Sequence, residues 1–132
     1  MHPLDQVIEK IESHIQGRRP YKAQAYLFVL GALDFTLDRL GRRENPTPDR
    51  HVSGQELSHG IKDYALTQFG PTARMVFDHW GLRGTADFGR IVYDLIELKL
   101  LGKNDRDRIE DFENVFDLEQ ELVSNYRFKL EK

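Results

Sequence analysis

Cysteine is absent from the 132 residues. By count, this excludes disulfides, thiolate nucleophiles, zinc–thiolate sites and cysteine-held iron–sulfur clusters. Reactive chemistry would therefore fall to histidine and carboxylate. Long apolar runs are scarce too. The longest, Ala23 to Leu33, is interrupted by Gln24 and followed by Asp34 and Asp38, which makes it too short and too charged to span a bilayer. Met1 to Lys10 holds Asp5 and Glu9 and no apolar stretch of signal-peptide length. The expectation is a cytoplasmic protein with no membrane partner. No Gly-x-Gly-x-x-Gly, phosphate-loop or Gly-x-Ser-x-Gly pattern occurs, nor any internal repeat or low-complexity segment.

What is present is the composition of one folded domain, with 39% hydrophobic and 31% charged residues, well above the apolar content at which chains stay disordered. Its size fits a single core spanning 1–132: a helical N-terminal segment over 1–40, a proline-containing loop over 41–50 and a helical C-terminal segment over 51–132. The net charge of −3 conceals an asymmetry, because residues 1–62 hold 9 Lys/Arg against 8 Asp/Glu, and residues 63–132 hold 10 against 14. Lys103 to Glu121 has 3 basic residues against 8 acidic ones, which disfavours nucleic acid along that stretch.

Leu4, Val7, Ile8, Ile11 and Ile15 recur at helical spacing, and Gly17 stands where a left-handed cap belongs. This predicts a helix over about 3–16. Tyr21 to Leu40 is apolar on more than one face and is expected to be the central, most buried helix. Pro46 and Pro48 make 41–50 a loop. Ser53 and Glu56 have capping-box spacing ahead of a helix over 53–69. Gly70-Pro71 ends that helix and starts a short one over 71–80. Thr85 is a candidate cap for a fifth helix carrying Phe88, Ile91, Val92, Leu95, Ile96 and Leu98. Beyond Gly102 two architectures compete: a small β-hairpin near 99–116, or a further short helix after Asn104. Leu118 to Phe128 is expected to be helical. The fold class is thus mainly α, a compact bundle of five to six helices, with a winged-helix-like C-terminal region as one option.

The segments Ala25 to Val29, His51 to Leu57, Phe69 to Arg74, His79-Trp80-Gly81, Asp87 to Val92 and Asp111-Phe112 together resemble a family of conserved hypothetical bacterial proteins of planctomycete and verrucomicrobial type, over roughly residues 21–118. The resemblance implies a bacterial lineage and supplies no catalytic residues. The order of helices followed by a hairpin is also similar to a winged-helix domain, whose last helix enters the major groove. Here that helix carries Asp87, Asp94 and Glu97 against Arg90 and Lys99, and its wing is acidic, so the charges oppose that mode.

Glu56, His59 and Asp63 share one helical face and could present three metal ligands, but Glu56 is already accounted for by capping. Asp105, Asp107 and Glu110 suggest a calcium loop that fails at position six, Glu110, and position twelve, Phe116. Ser53, Ser58 and Ser124 lack a nucleophile context. His79 and Trp80 at a helix end are the binding pair with the most chemistry, although a dipole-facing histidine and a core tryptophan are the stronger explanation of them. Arg18 and Arg19 with Lys22, and Arg39, Arg42, Arg43 and Arg50 around the proline loop, would hold an anion or nucleic-acid backbone if the fold brought them together. No catalytic residue, metal or cofactor is expected. The leading expectation is a non-enzymatic protein-interaction module or homodimer. The rivals are a nucleic-acid-binding regulator using Arg18, Arg19, Arg42 and Arg43, and a small hydrolase or lyase built on His51, His59 or His79.

Overall fold

The computed structural model describes residues 3–42, 52–102 and 108–125. Among these it is all-α: α1 is Pro3–Ile15, α2 Ala23–Arg39, α3 Gly54–Phe69, α4 Ala73–Trp80 and α5 Thr85–Glu97. A 3-10 turn over Gly70–Thr72 joins α3 to α4, another covers Ile109–Phe112, and a π-helical turn occupies Gln120–Ser124. None of the described helices is long and apolar enough to cross a membrane.

The helix boundaries follow local chemistry. Ser53 Oγ accepts from the Glu56 amide at 3.0 Å while Glu56 Oε1 accepts from the Ser53 amide at 3.0 Å, the reciprocal box expected from the sequence. At the end of α4, Gly81 adopts φ 88°, and the Leu82 amide donates to Phe77 O at 2.8 Å. The left-handed turn requires glycine, and a Cβ there would also lie 2.7 Å from Pro20 O. Thr85 is not the cap of α5. Gly84 holds that position, and the Asp87 carboxylate reaches back to accept from the Arg83 and Gly84 amides at 2.8 and 3.1 Å.

α2 packs against α1, α3, α4 and α5 and so is central, as expected. The most deeply buried helix is nevertheless α5, with eight buried residues in thirteen against six in seventeen for α2. The reason is coverage: the Ile109–Phe112 turn packs on α5 as well, with Phe112 set against Gly89.

The hairpin expected near 99–116 does not form, since neither 99–102 nor 108–116 contains a strand. Lys99 turns left-handed at φ 62°, and the amides of Leu100 and Leu101 close back onto Leu95 O at 2.9 and 3.3 Å. On the other side, Thr85 Oγ1 donates to Phe112 O at 2.6 Å and accepts from the Val115 amide at 3.1 Å. Backbone groups that a ladder would need are thus engaged by α5. Without a wing, the winged-helix likeness rests on helix order alone. The tail is helical over 118–125, burying Leu118 and Leu122. Residues 126–128, most of the proline loop and the acidic stretch 103–107 lie outside the described residues.

α2 and α3 approach most closely at Gly60, where a Cβ would stand 1.8 Å from Thr36 Oγ1. Gly60→Ala should gain about 1 kcal/mol in helix propensity yet lose more to the overlap, for a net destabilisation of about 2 kcal/mol. Urea unfolding with an unchanged m-value checks it. A variant as stable as the wild type would mean that the helices do not meet this closely.

Candidate functional site

The main polar constellation lies inside the bundle. Asp87 and Asp94 are two helical turns apart on α5 and therefore share a face, and both are nearly excluded from solvent. They meet Tyr21 and Tyr26 at the start of α2, whose rings pack edge-on at 6.2 Å. Tyr21 donates to Asp87 Oδ1 at 2.5 Å, and Arg90 donates to the same oxygen at 2.7 Å. Tyr26 donates to Asp94 Oδ2 at 2.6 Å. Arg19 grips Asp94 with both arms, Nε to Oδ2 and Nη2 to Oδ1, each at 3.0 Å.

His14, from α1, brings Nε2 to 3.1 Å from Asp94 Oδ1 and 3.9 Å from Glu97 Oε2. His14 Nε2 is buried, and its contact with Asp94 is a close ion pair that does not meet hydrogen-bond geometry. His14, Asp94 and Glu97 are the only three described residues found with metal-ligating atoms all within 4.8 Å of one another.

The electrostatics separate the roles. Burial acts most strongly on Asp94 and would raise its pKa, but hydrogen bonds from Arg19 and Tyr26, with His14 and the Arg19 charge beside it, together hold it below the ordinary carboxylate value. Burial first, then the Asp94 contact, pushes the Tyr26 phenol up; burial first likewise pushes Tyr21 up to about 12. The Asp94 contact raises Arg19 further. A general acid or base works best with a pKa near the working pH, and Tyr26 and Asp94 are driven apart from it in opposite directions. The constellation is a clamp joining the α1 end, the α2 start and α5.

The residues singled out from sequence are scattered. Trp80 is half-buried in an aromatic cluster with Phe28, Phe69 and Phe77, at centroid distances of 5.3, 5.7 and 6.2 Å, while His79 is exposed. The pair therefore does not face one pocket. Arg18 is exposed, Arg19 is held by Asp94, and Arg42 pairs with Glu56 at 2.9 Å. Arg18 and Arg19 precede α2 whereas Arg39 and Arg42 lie at its far end, which at about 1.5 Å per residue separates the two pairs by about 25 Å. Arg43, His51, Asp105 and Asp107 lie outside the described residues.

Glu56, His59 and Asp63 do line one shallow pocket of about 300 Å³ with Thr36, Arg39 and Leu40. They do not converge as ligands: Asp63 pairs with Arg39 at 2.8 Å, Glu56 serves the cap and Arg42, and His59 packs on Phe116 at 5.1 Å. Ser53 caps α3, Ser58 donates to Gly54 O at 2.8 Å, and Ser124 and Glu110 are exposed.

His14, Tyr21, Tyr26 and Asp94 were missed as a group. The available signal was position: Asp87 and Asp94 stand four before and three after Ile91, inside the apolar stripe of α5, where a charge must bring a partner. Neither family models, nor curated proteins, nor solved structures give a match to this chain.

Tyr26→Phe should cost about 1.5 kcal/mol by removing one hydrogen bond from a buried carboxylate. Because the folded pKa of Asp94 is lowered, its contribution is complete above the ordinary carboxylate range and is lost as pH falls from about 4 downward. Asp94→Asn should therefore be less stable at neutral pH and show a flatter acid limb, read by denaturant midpoints against pH; parallel limbs would rule the clamp out as a source of acid sensitivity. Separately, Trp80→Ala should lose about 3 kcal/mol and His79→Ala less than about 0.5 kcal/mol, as thermal melts would show. Equal effects would contradict the aromatic-anchor assignment.

Proposed function

We propose that the protein is a cytoplasmic, non-enzymatic interaction module whose groove between α1 and α2 receives an amphipathic helix of a partner protein. The observation that carries this reading is the incomplete coverage of the apolar stripe on α1. Ile11 is fully buried, but Leu4 is 49% exposed, and Ile8 and Ile15 are half-buried. Beside them runs a groove of about 810 Å³, floored by Ile8, Ile15, Ala23 and Leu27 and rimmed by Glu12, Gln16, Lys22 and Gln24. Apolar floor residues at helical spacing with a polar rim match helix-in-groove recognition.

The engagement of Asp87 and Asp94 in structural hydrogen bonds supports an interaction role over an enzyme. A nucleic-acid role draws less support, since Arg19 and Arg42 are each paired with a carboxylate and lie far apart.

The test is a photo-crosslinking residue at exposed Gln24, used in cells, with and without Ile8→Glu. A discrete adduct is expected, its yield falling about tenfold in the variant, the effect of losing roughly 1.4 kcal/mol, while circular dichroism shows an unchanged fold. Light scattering of the purified chain identifies a second copy if that is the occupant. No discrete adduct, or one indifferent to Ile8→Glu, would overturn the groove assignment.

A further inference from the structure

A buried imidazole nitrogen is costly unless a partner meets it squarely, and folds usually satisfy such an atom. His14 is 9% exposed, and its Nε2, although 3.1 Å from an Asp94 oxygen, does not meet hydrogen-bond geometry with it. It stands on the last turn of α1, facing two carboxylates that α5 presents three residues apart on one side, Asp94 and Glu97. The Asp94 oxygen is 3.1 Å from that nitrogen and the Glu97 oxygen 3.9 Å. An ion about 2.0–2.2 Å from each of three donors places those donors roughly 3–3.6 Å apart. The first separation already fits. The second closes by a small rotation of Glu97, whose side chain is 68% exposed and so is unconstrained by packing.

From this geometry we infer that His14, Asp94 and Glu97 form a binding site for one divalent transition-metal ion of zinc type, tying α1 to α5. A carboxylate oxygen has two lone pairs, so Asp94 Oδ1 can accept from Arg19 and still coordinate. Arg19 and Tyr26 fix the orientation of that carboxylate, the supporting role that neighbours of metal ligands ordinarily play. One imidazole with two carboxylates favours a zinc-type ion over magnesium or calcium, which take oxygen ligands throughout. His14 also lines a shallow cleft of about 800 Å³ with Glu9, Lys10, Ser13 and Leu98, which gives water and ion a route to it. The Arg19 charge opposes the ion, so the affinity is lower than that of a site without a neighbouring cation. The inference does not depend on what fills the α1–α2 groove.

The experiment is calorimetric titration of the metal-stripped full chain with zinc chloride and, separately, magnesium chloride, followed by visible absorption with cobalt(II). Wild type should take up one equivalent of zinc at micromolar concentrations and little magnesium, with a cobalt spectrum of low-symmetry coordination. Glu97→Gln should weaken zinc binding about tenfold or more and His14→Ala should abolish it. If His14→Ala fails to fold, Glu97→Gln decides, because its exposed side chain leaves the core intact. No zinc uptake, magnesium uptake of equal strength, or zinc binding undiminished in Glu97→Gln would overturn the assignment.

Discussion

The rest of the molecule is arranged around the burial of the Asp94 charge. A carboxylate placed in the apolar stripe of α5 is strongly unfavourable unless it is met by opposite charge and hydrogen bonds on both oxygens. Meeting that demand fixes three elements at once. Arg19 must sit just past α1, Tyr26 must lie one turn into α2, and α5 must present its polar notch toward both. A shift of α2 by one residue in helical register would rotate Tyr26 away by about 100° and take from the carboxylate the hydrogen bond on Oδ2 that Tyr26 supplies. Hydrophobic burial tolerates such slippage far better than a two-oxygen hydrogen-bond pattern does, so Asp94 acts as the register mark of the bundle. Asp87 adds a second mark: its carboxylate caps its own helix through the Arg83 and Gly84 amides and accepts from Tyr21.

The other side of α2 obeys a steric rule in place of an electrostatic one. Gly60 on α3 lies against Thr36, and Gly31 on α2 lies 3.1 Å, as a built Cβ, from Tyr64 Oη. Each helix thus offers a glycine to a side chain of the other. The close approach brings Phe28 within reach of Tyr64, Phe69, Phe77 and Trp80, and aromatic pairs at these distances favour tilted and edge-on packing. Trp80 belongs here. Its position at the end of α4 also lets its carbonyl accept from the Lys22 amide at 3.2 Å, satisfying a donor at the start of α2 for which no side chain provides a cap.

The helices themselves were legible in the sequence because local signals specify them: the Ser53–Glu56 box, Gly81 after His79-Trp80, and the periodic stripes of α1 and α5. The C-terminal region was not, for a physical reason. Ile109 to Phe116 has neither helical nor strand period, and its shape is set by Thr85, twenty-seven residues before Phe112, whose hydroxyl reads as a helix cap until its distant partner is known. The polar clamp was hidden in the same way. Asp94 counted as one of several acidic residues on a helix, and His14 as one residue in an amphipathic segment. What joins them is a separation of eighty positions that no spacing rule spans. The basic clusters illustrate the converse: Arg19 and Arg42 looked available for a ligand because their carboxylate partners, Asp94 and Glu56, are supplied by other helices.

The attachment of α1 is where these themes meet. α1 buries only Ile11 and His14, with Val7 and Ile15 partly buried against the core. Full burial of one isoleucine contributes about 2 kcal/mol, so the apolar contact of α1 is thin beside that of α5. The tie that follows it, Arg19 on Asp94, adds two charge-assisted hydrogen bonds to that contact. α1 has the smallest buried share of the five helices, and the balance between its docked and undocked states is the one an added contact most readily shifts. Any interaction that engages it only when docked, whether along the groove beside Ile8 or at His14, shifts that balance about tenfold for each roughly 1.4 kcal/mol it supplies. The exposed stripe and the imidazole that faces Asp94 and Glu97 both lie on α1, the element of this fold on which a modest binding energy has the greatest leverage.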